Sequence, residues 1–139
     1  MRSLSPTILY VDDNADSREV ISFLLNIADN KYEITTADSA GKALKLMEVQ
    51  NYDLYILDYR LPEIDGIELC RLIRKINRLT PIIFYTGAAY KAERERALAA
   101  DANAYLVKPN DIDNLTETVK VLLSESAALD VNYFQMSGQ

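Results

Sequence analysis

The sequence contains no histidine and only one cysteine. The first absence removes the commonest general base and the commonest metal ligand, so any chemistry must rest on other side chains. The single Cys70 cannot close an internal disulfide, which points to a reducing compartment, the cytoplasm. It falls in an apolar helical pattern, where a buried packing role fits it best. Basic residues are in short supply, 15 against 21 acidic ones, for a formal net charge of −6. Such a balance argues against sequence-independent nucleic-acid binding, which needs a basic face, and against attraction to an anionic membrane surface. No stretch approaches the ~18 consecutive apolar residues of a membrane span. The N-terminus, MRSLSPTILYVDD, reaches acidic residues before any long apolar run, so no signal peptide is expected.

What is present is one domain's worth of chain. Its 139 residues are 49% hydrophobic and 26% charged, enough to bury a core without staples. Five short apolar runs recur along it: Thr7–Val11, Tyr32–Thr36, Leu54–Leu57, Pro81–Thr86 and Ala104–Val107. They are rich in β-branched and aromatic residues and bounded by Asp, Asn, Gly or Pro, which predicts strands. The first, third and fourth are nearly continuous in apolar character, as strands covered on both faces are.

Helical periodicity fills the intervals. Val20, Ile21, Leu24, Leu25 and Ala28 share one face; so do Ala40, Ala43, Leu44 and Met47, then Leu69, Leu72, Ile73 and Ile76, and last Leu115, Val119, Leu122 and Leu123. The segment Lys91–Ala100 is Ala-rich and charged, a solvated helix with a small-residue face toward the sheet. Asn14 or Asp16, Asp38 or Ser39, and Asp111 stand where helix N-caps belong. Strict β-α alternation predicts an α/β fold: a flavodoxin-like, doubly wound, five-stranded parallel sheet of order 2-1-3-4-5 with five helices. After Ser124 the period is lost, so residues 1–124 are read as the domain and 125–139 as a partly disordered C-terminal tail.

Ligands of such a sheet bind at the carboxyl ends of its strands. Strand one ends in Asp12 and Asp13, strand three in Asp58, strand four in Thr86 followed by Gly87, and strand five in Lys108 and Pro109. The strand order brings these together. Clustered carboxylates repel and lose hydration, which a hard divalent cation with oxygen ligands, Mg2+, would offset. A carboxylate oxygen left over at Asp58 is a nucleophile toward phosphorus. Lys108, Thr86 and the backbone N–H groups of the small Gly87 and Ala88 suit phosphoryl oxygens. Taken singly, each residue has an ordinary explanation: Asp13 as a helix cap, Thr86 as a strand residue, Lys108 as a solvated charge, Asp58 as an acceptor for loop N–H groups. Their conjunction at one sheet edge is what argues for a site.

At these residues the chain resembles the receiver domain of bacterial two-component response regulators. The matching pieces are VDDN at Val11–Asn14, ILDYRLPEIDGIEL at Ile56–Leu69, IIFYTG at Ile82–Gly87 and AYLVKP at Ala104–Pro109. The resemblance implies a phosphoacceptor switch rather than an enzyme. Asp58 would accept the phosphoryl group from a histidine kinase or a histidine phosphotransfer protein. Asp12, Asp13, Asp58 and the backbone carbonyl of Arg60 would hold Mg2+; Thr86 and Lys108 would engage the phosphoryl group. Tyr105 would be the switch aromatic, turning inward as Thr86 moves. Gly66 would let the loop turn into the third helix, and the Lys108–Pro109 peptide would be cis. Output would pass to a protein partner through helix four, strand five and helix five, with a weak homodimer left open. No output domain is read after the last helix, so a stand-alone receiver is expected, with a fragment of a longer chain as the alternative.

Arg60, two places after Asp58, is a departure from the family's pattern, long and cationic; its side chain is expected to cover the phosphoryl group or obstruct an attacking water. Two other classes compare poorly. A phosphatase of the haloacid dehalogenase type needs an aspartate at the place of Arg60. A flavin-binding module needs a Gly/Ser/Thr-rich phosphate loop where this chain has DDNADS.

Overall fold

The structure, a computed structural model, describes residues 5–29 and 31–137, with side chains described through residue 126. In chain order the elements are β1 (Thr7–Val11), α1 (Ala15–Ala28), β2 (Glu33–Ala37), α2 (Ala40–Val49), β3 (Leu54–Leu57), α3 (Gly66–Ile76), β4 (Ile82–Thr86), α4 (Lys91–Ala99), β5 (Ala104–Val107) and α5 (Ile112–Ser137). The five strands form one parallel sheet of order β2-β1-β3-β4-β5. This is the α/β, doubly wound topology that the alternation predicts.

Period-two alternation divides the core into two layers. Ile8, Tyr10, Leu54, Ile56, Ile83 and Tyr85 meet Ile21 and Leu25 of α1 and Leu115, Val119 and Leu123 of α5. Leu9, Val11, Tyr55, Leu57, Ile82, Phe84 and Tyr105 meet α2, α3 and α4. Each large side chain removed from water here contributes roughly 1.5–3 kcal/mol.

The helices start where the caps are. Asn14 accepts from the Ser17 amide, Ser39 from Lys42 and Asp65 from Glu68, each satisfying an otherwise orphaned N–H. Asp111 precedes α5, but its carboxylate takes the Val107 amide instead, at 2.7 Å. As expected, α4 is a solvated helix that buries little more than Ala97 and Glu93.

Three details differ from the sequence reading. Val20 and Ile76, expected on core faces, are 48% and 67% exposed: Val20 lies at the edge of its apolar stripe and Ile76 is the last residue of α3. Backbone helix runs through Ser137, across the region expected to be a partly disordered tail; residues 138–139 lie outside the described residues. The loop after β3 turns through Glu63, whose φ of 72° is left-handed, and not through Gly66. No helix among the described residues is long and apolar enough to cross a membrane.

Candidate functional site

The site grows from the ends of β1, β3, β4 and β5. Parallel hydrogen bonds fix their relative register: the Asp58 amide donates to the Val11 carbonyl at 3.0 Å and the Lys108 amide to Thr86 at 2.8 Å. Asp12, Asp13 and Asp58 thereby face one space, with one carboxylate oxygen from each within 4.8 Å of the others. Asp12 and Asp58 are buried and Asp13 is exposed.

Asp58 is held from both sides. Thr86 Oγ1 donates to Asp58 Oδ1 at 2.6 Å, and Lys108 Nζ donates to Oδ2 at 3.0 Å. The Arg60 amide also approaches Oδ1, at 3.3 Å. Lys108 bridges onward to Asp12 Oδ2. Burial works to lower the pKa of this ammonium, but the hydrogen bonds to Asp12 and Asp58 outweigh it and the net shift is upward, so Lys108 stays charged.

Asp12, like Asp58, takes three donors. Tyr10 Oη and Lys108 Nζ both donate to Oδ2, and the Asn14 amide donates to Oδ1 at 2.9 Å. Arg18 of α1 fixes the backbone of Asp12 through its carbonyl, at 2.7 Å. Burial, then the hydrogen bond to Asp12, pushes the Tyr10 phenol far above its ordinary pKa, so it remains a donor.

The donor set fits a hard cation: three carboxylates, no nitrogen or sulfur ligand, and one acid open to solvent. Lys108 alone leaves the cluster net negative.

The loops around the site have identifiable fastenings. Gly66 lies so close beneath the Asp58 backbone that a Cβ there would collide with the Asp58 carbonyl and press on the Phe84 ring. Close approach, and not a glycine-only backbone angle, is what requires this glycine. The Ala88 amide, expected to face a phosphate, donates to Thr86 Oγ1 at 3.2 Å, and Gly87 is exposed. Tyr105 is buried, stacked on Phe84 with ring centroids 5.8 Å apart, and its hydroxyl donates to the Ala88 carbonyl. The expected switch aromatic is thus in its inward position in this structure. The Lys108–Pro109 peptide is cis, as the resemblance implies.

Arg60 points away from the expected place over Asp58. Its Nη2 donates to Glu93 Oε2 of α4 at 2.9 Å, while Glu93 Oε1 accepts from the Tyr90 amide at 3.2 Å. Two contributors escape the sequence reading. Glu93 looks like one more solvated helix charge, since the residue three places before it is a tyrosine and not a usual cap. Tyr10 looks like strand filler; the available signal is its i, i+2 spacing from Asp12, which puts both side chains on one face.

Comparison with known proteins agrees with this geometry. Residues 8–120 match the family model of the response regulator receiver domain. The transcriptional regulatory protein ResD of Bacillus subtilis is 35% identical over 127 residues, covering 91% of this chain and 51% of ResD. The chain therefore spans about half the length of that relative. Among solved structures, the receiver domain of a Francisella response regulator superposes with a TM-score of 0.79 at 30% identity, covering 87% of this chain and 98% of that one. The response regulator TrrA of Thermotoga maritima, solved in complex with Mg2+ and BeF, gives 0.75 at 39% identity, covering 84% and 98%. With the family model matching most of the chain, the five-stranded order and the acidic cluster find one explanation: this chain belongs to the response regulator receiver domain family.

Proposed function

We propose that the chain is a phosphoacceptor switch whose acceptor is Asp58. The observation that carries this reading is the two-sided grip on that carboxylate, Thr86 at 2.6 Å on one oxygen and Lys108 at 3.0 Å on the other. Both groups are donors of the kind that stabilise phosphoryl oxygens. An Asp58 oxygen attacks the phosphorus of a phosphohistidine on a histidine kinase or histidine phosphotransfer protein. The O–P bond forms as the P–N bond breaks, and the imidazole nitrogen leaves with the bonding pair. Asp12, Asp13, Asp58 and the Arg60 backbone carbonyl would hold Mg2+, which when bound neutralises part of the charge gathered there. The chain acts as a substrate of its partner, not as an enzyme with a turnover of its own, and we place the exchange in the cytoplasm.

Phosphorylation adds about −1.5 to −2 charges and three acceptor oxygens. The Thr86 hydroxyl and the Lys108 ammonium follow those oxygens. Thr86 also anchors the Ala88 amide, and Tyr105 anchors the Ala88 carbonyl, so movement of Thr86 reaches α4 and β5 through one residue. A shift from 1:99 to 99:1 needs ~5.5 kcal/mol of differential binding. A few charge-assisted hydrogen bonds at ~1.5–3 kcal/mol each supply that. Output then leaves through the surface of α4, β5 and α5 to a protein partner. The donor docks on α1, the helix that begins just after Asp13, where Val20, Phe23 and Ile27 lie exposed at helical spacing.

The test is incubation with acetyl phosphate and Mg2+, read by intact mass. One added phosphoryl group is expected, absent when Mg2+ is chelated before the donor is added and absent in Asp58→Asn. An unmodified wild-type chain with fresh donor and metal overturns the reading.

A further inference from the structure

Tyr10 occupies an unusual place for a tyrosine. It lies on β1, an interior strand of the sheet, fully buried in the apolar layer with Ile8, Ile56 and Tyr85. A phenylalanine or leucine would fill this layer without carrying a hydroxyl into it. The hydroxyl has a polar partner because residues i and i+2 of a strand share a face, which sets the phenol beneath Asp12. It donates to Asp12 Oδ2 at 2.5 Å, and Lys108 Nζ donates to the same oxygen.

We infer that Tyr10 is a positioning residue of the acidic site, fixing the Asp12 carboxylate in the orientation it presents to a divalent cation. The inference rests on the proposed reading of Asp12 as a metal ligand. An ionised carboxylate offers about four lone-pair positions. Tyr10 and Lys108 occupy Oδ2, and the Asn14 amide occupies one position on Oδ1. The position remaining is on Oδ1, so the phenol determines which oxygen Asp12 can offer. Lys108 cannot do this alone, since its ammonium is shared with Asp58 and swings on a flexible stem. Tyr10, by contrast, is a rigid donor from below, clamped by the packed core. Donors that orient a metal ligand without touching the metal commonly matter about 10- to 100-fold in affinity.

The test is Mg2+ affinity by calorimetry on wild type, Tyr10→Phe and Tyr55→Phe. Tyr55 is a buried tyrosine on the opposite face of the sheet and controls for loss of a core hydroxyl. Tyr10→Phe is expected to weaken Mg2+ about 10-fold, with Tyr55→Phe within about twofold of wild type. Tyr10→Phe binding Mg2+ as tightly as wild type, or more tightly, overturns the inference and leaves the proposed function standing. A wild-type chain that takes up no Mg2+ overturns both. Should Tyr10→Phe fail to fold, nuclear magnetic resonance on the wild type decides: the Tyr10 hydroxyl proton is expected to be sheltered from exchange and to shift when Mg2+ is added. A hydroxyl signal indifferent to Mg2+ overturns the positioning role.

Discussion

The Arg60 guanidinium is 2.9 Å from the Glu93 carboxylate, linking the residue two places past Asp58 to the first turn of α4. The pair is unequal: the Arg60 side chain is 70% exposed and that of Glu93 only 12%. Glu93 is held in place by the Tyr90 amide, while Arg60 is free to leave for a better anion. A phosphoryl group on Asp58 would be one.

Arg60 and Glu93 therefore compete for control of the aspartyl-phosphate lifetime. Arg60→Asn removes a cation able to cover the phosphoryl group, and the lifetime is expected to shorten. Glu93→Gln keeps the acceptor for Tyr90 but drops the charge that draws Arg60 away, and the lifetime is expected to lengthen. With the Arg60 side of the pair largely exposed, the pair is worth ~0.2–1 kcal/mol, which sets the expected Glu93→Gln effect at up to roughly fivefold. Phosphate-release kinetics on both variants check this; equal lifetimes in all three proteins contradict it.

Gly66→Ala is expected to damage the fold and the site together. The added Cβ meets the Asp58 carbonyl, which is backbone and cannot swing aside, and the Phe84 ring. Overpacking of this kind costs ~1–3 kcal/mol or more. Urea unfolding would show a lower midpoint, and acetyl phosphate would label the folded fraction more slowly. Unchanged values for both would mean that the loop relaxes freely.

Stability is expected to fall at alkaline pH and to be flat just above neutrality. Burial pushes the Cys70 thiol from 9.0 up to about 11. Burial likewise pushes the Tyr55 and Tyr105 phenols from 10.0 up to about 12. Each folded pKa lies above its unfolded value, so the folded state binds more protons than the unfolded one inside the window. These contributions are complete below 9.0 and are lost as pH climbs through about 12. Urea midpoints measured from neutral pH to pH 11 test it; a midpoint that rises over that interval contradicts the assignment.

The topology was legible in the sequence because the strands are short β-branched or apolar runs, most of them ending at Asp or Gly, with helical periodicity between them. The carboxylates were legible because they interrupt those runs at Val11–Asp12 and Leu57–Asp58. What stayed hidden depended on where side chains reach in three dimensions. Arg60 goes to Glu93, and Glu93 comes from a helix 33 residues on. Gly66 reads as a turn residue, yet it serves a close approach to Asp58. Val20 reads as core because periodicity marks the stripe and not its width; only packing against α5 defines the edge. Tyr10 looks apolar from its neighbours, and its role follows from a hydroxyl whose partner lies two residues along the same strand.

The central claim is that Asp58, and neither of its acidic neighbours, carries the phosphoryl group. Borohydride reduction converts an acyl phosphate to an alcohol at the residue that bore it. After treatment with acetyl phosphate and Mg2+, reduction and peptide mass mapping are expected to find the converted residue at position 58 alone. Conversion at Asp12 or Asp13, or at no residue of the chain, would contradict the account.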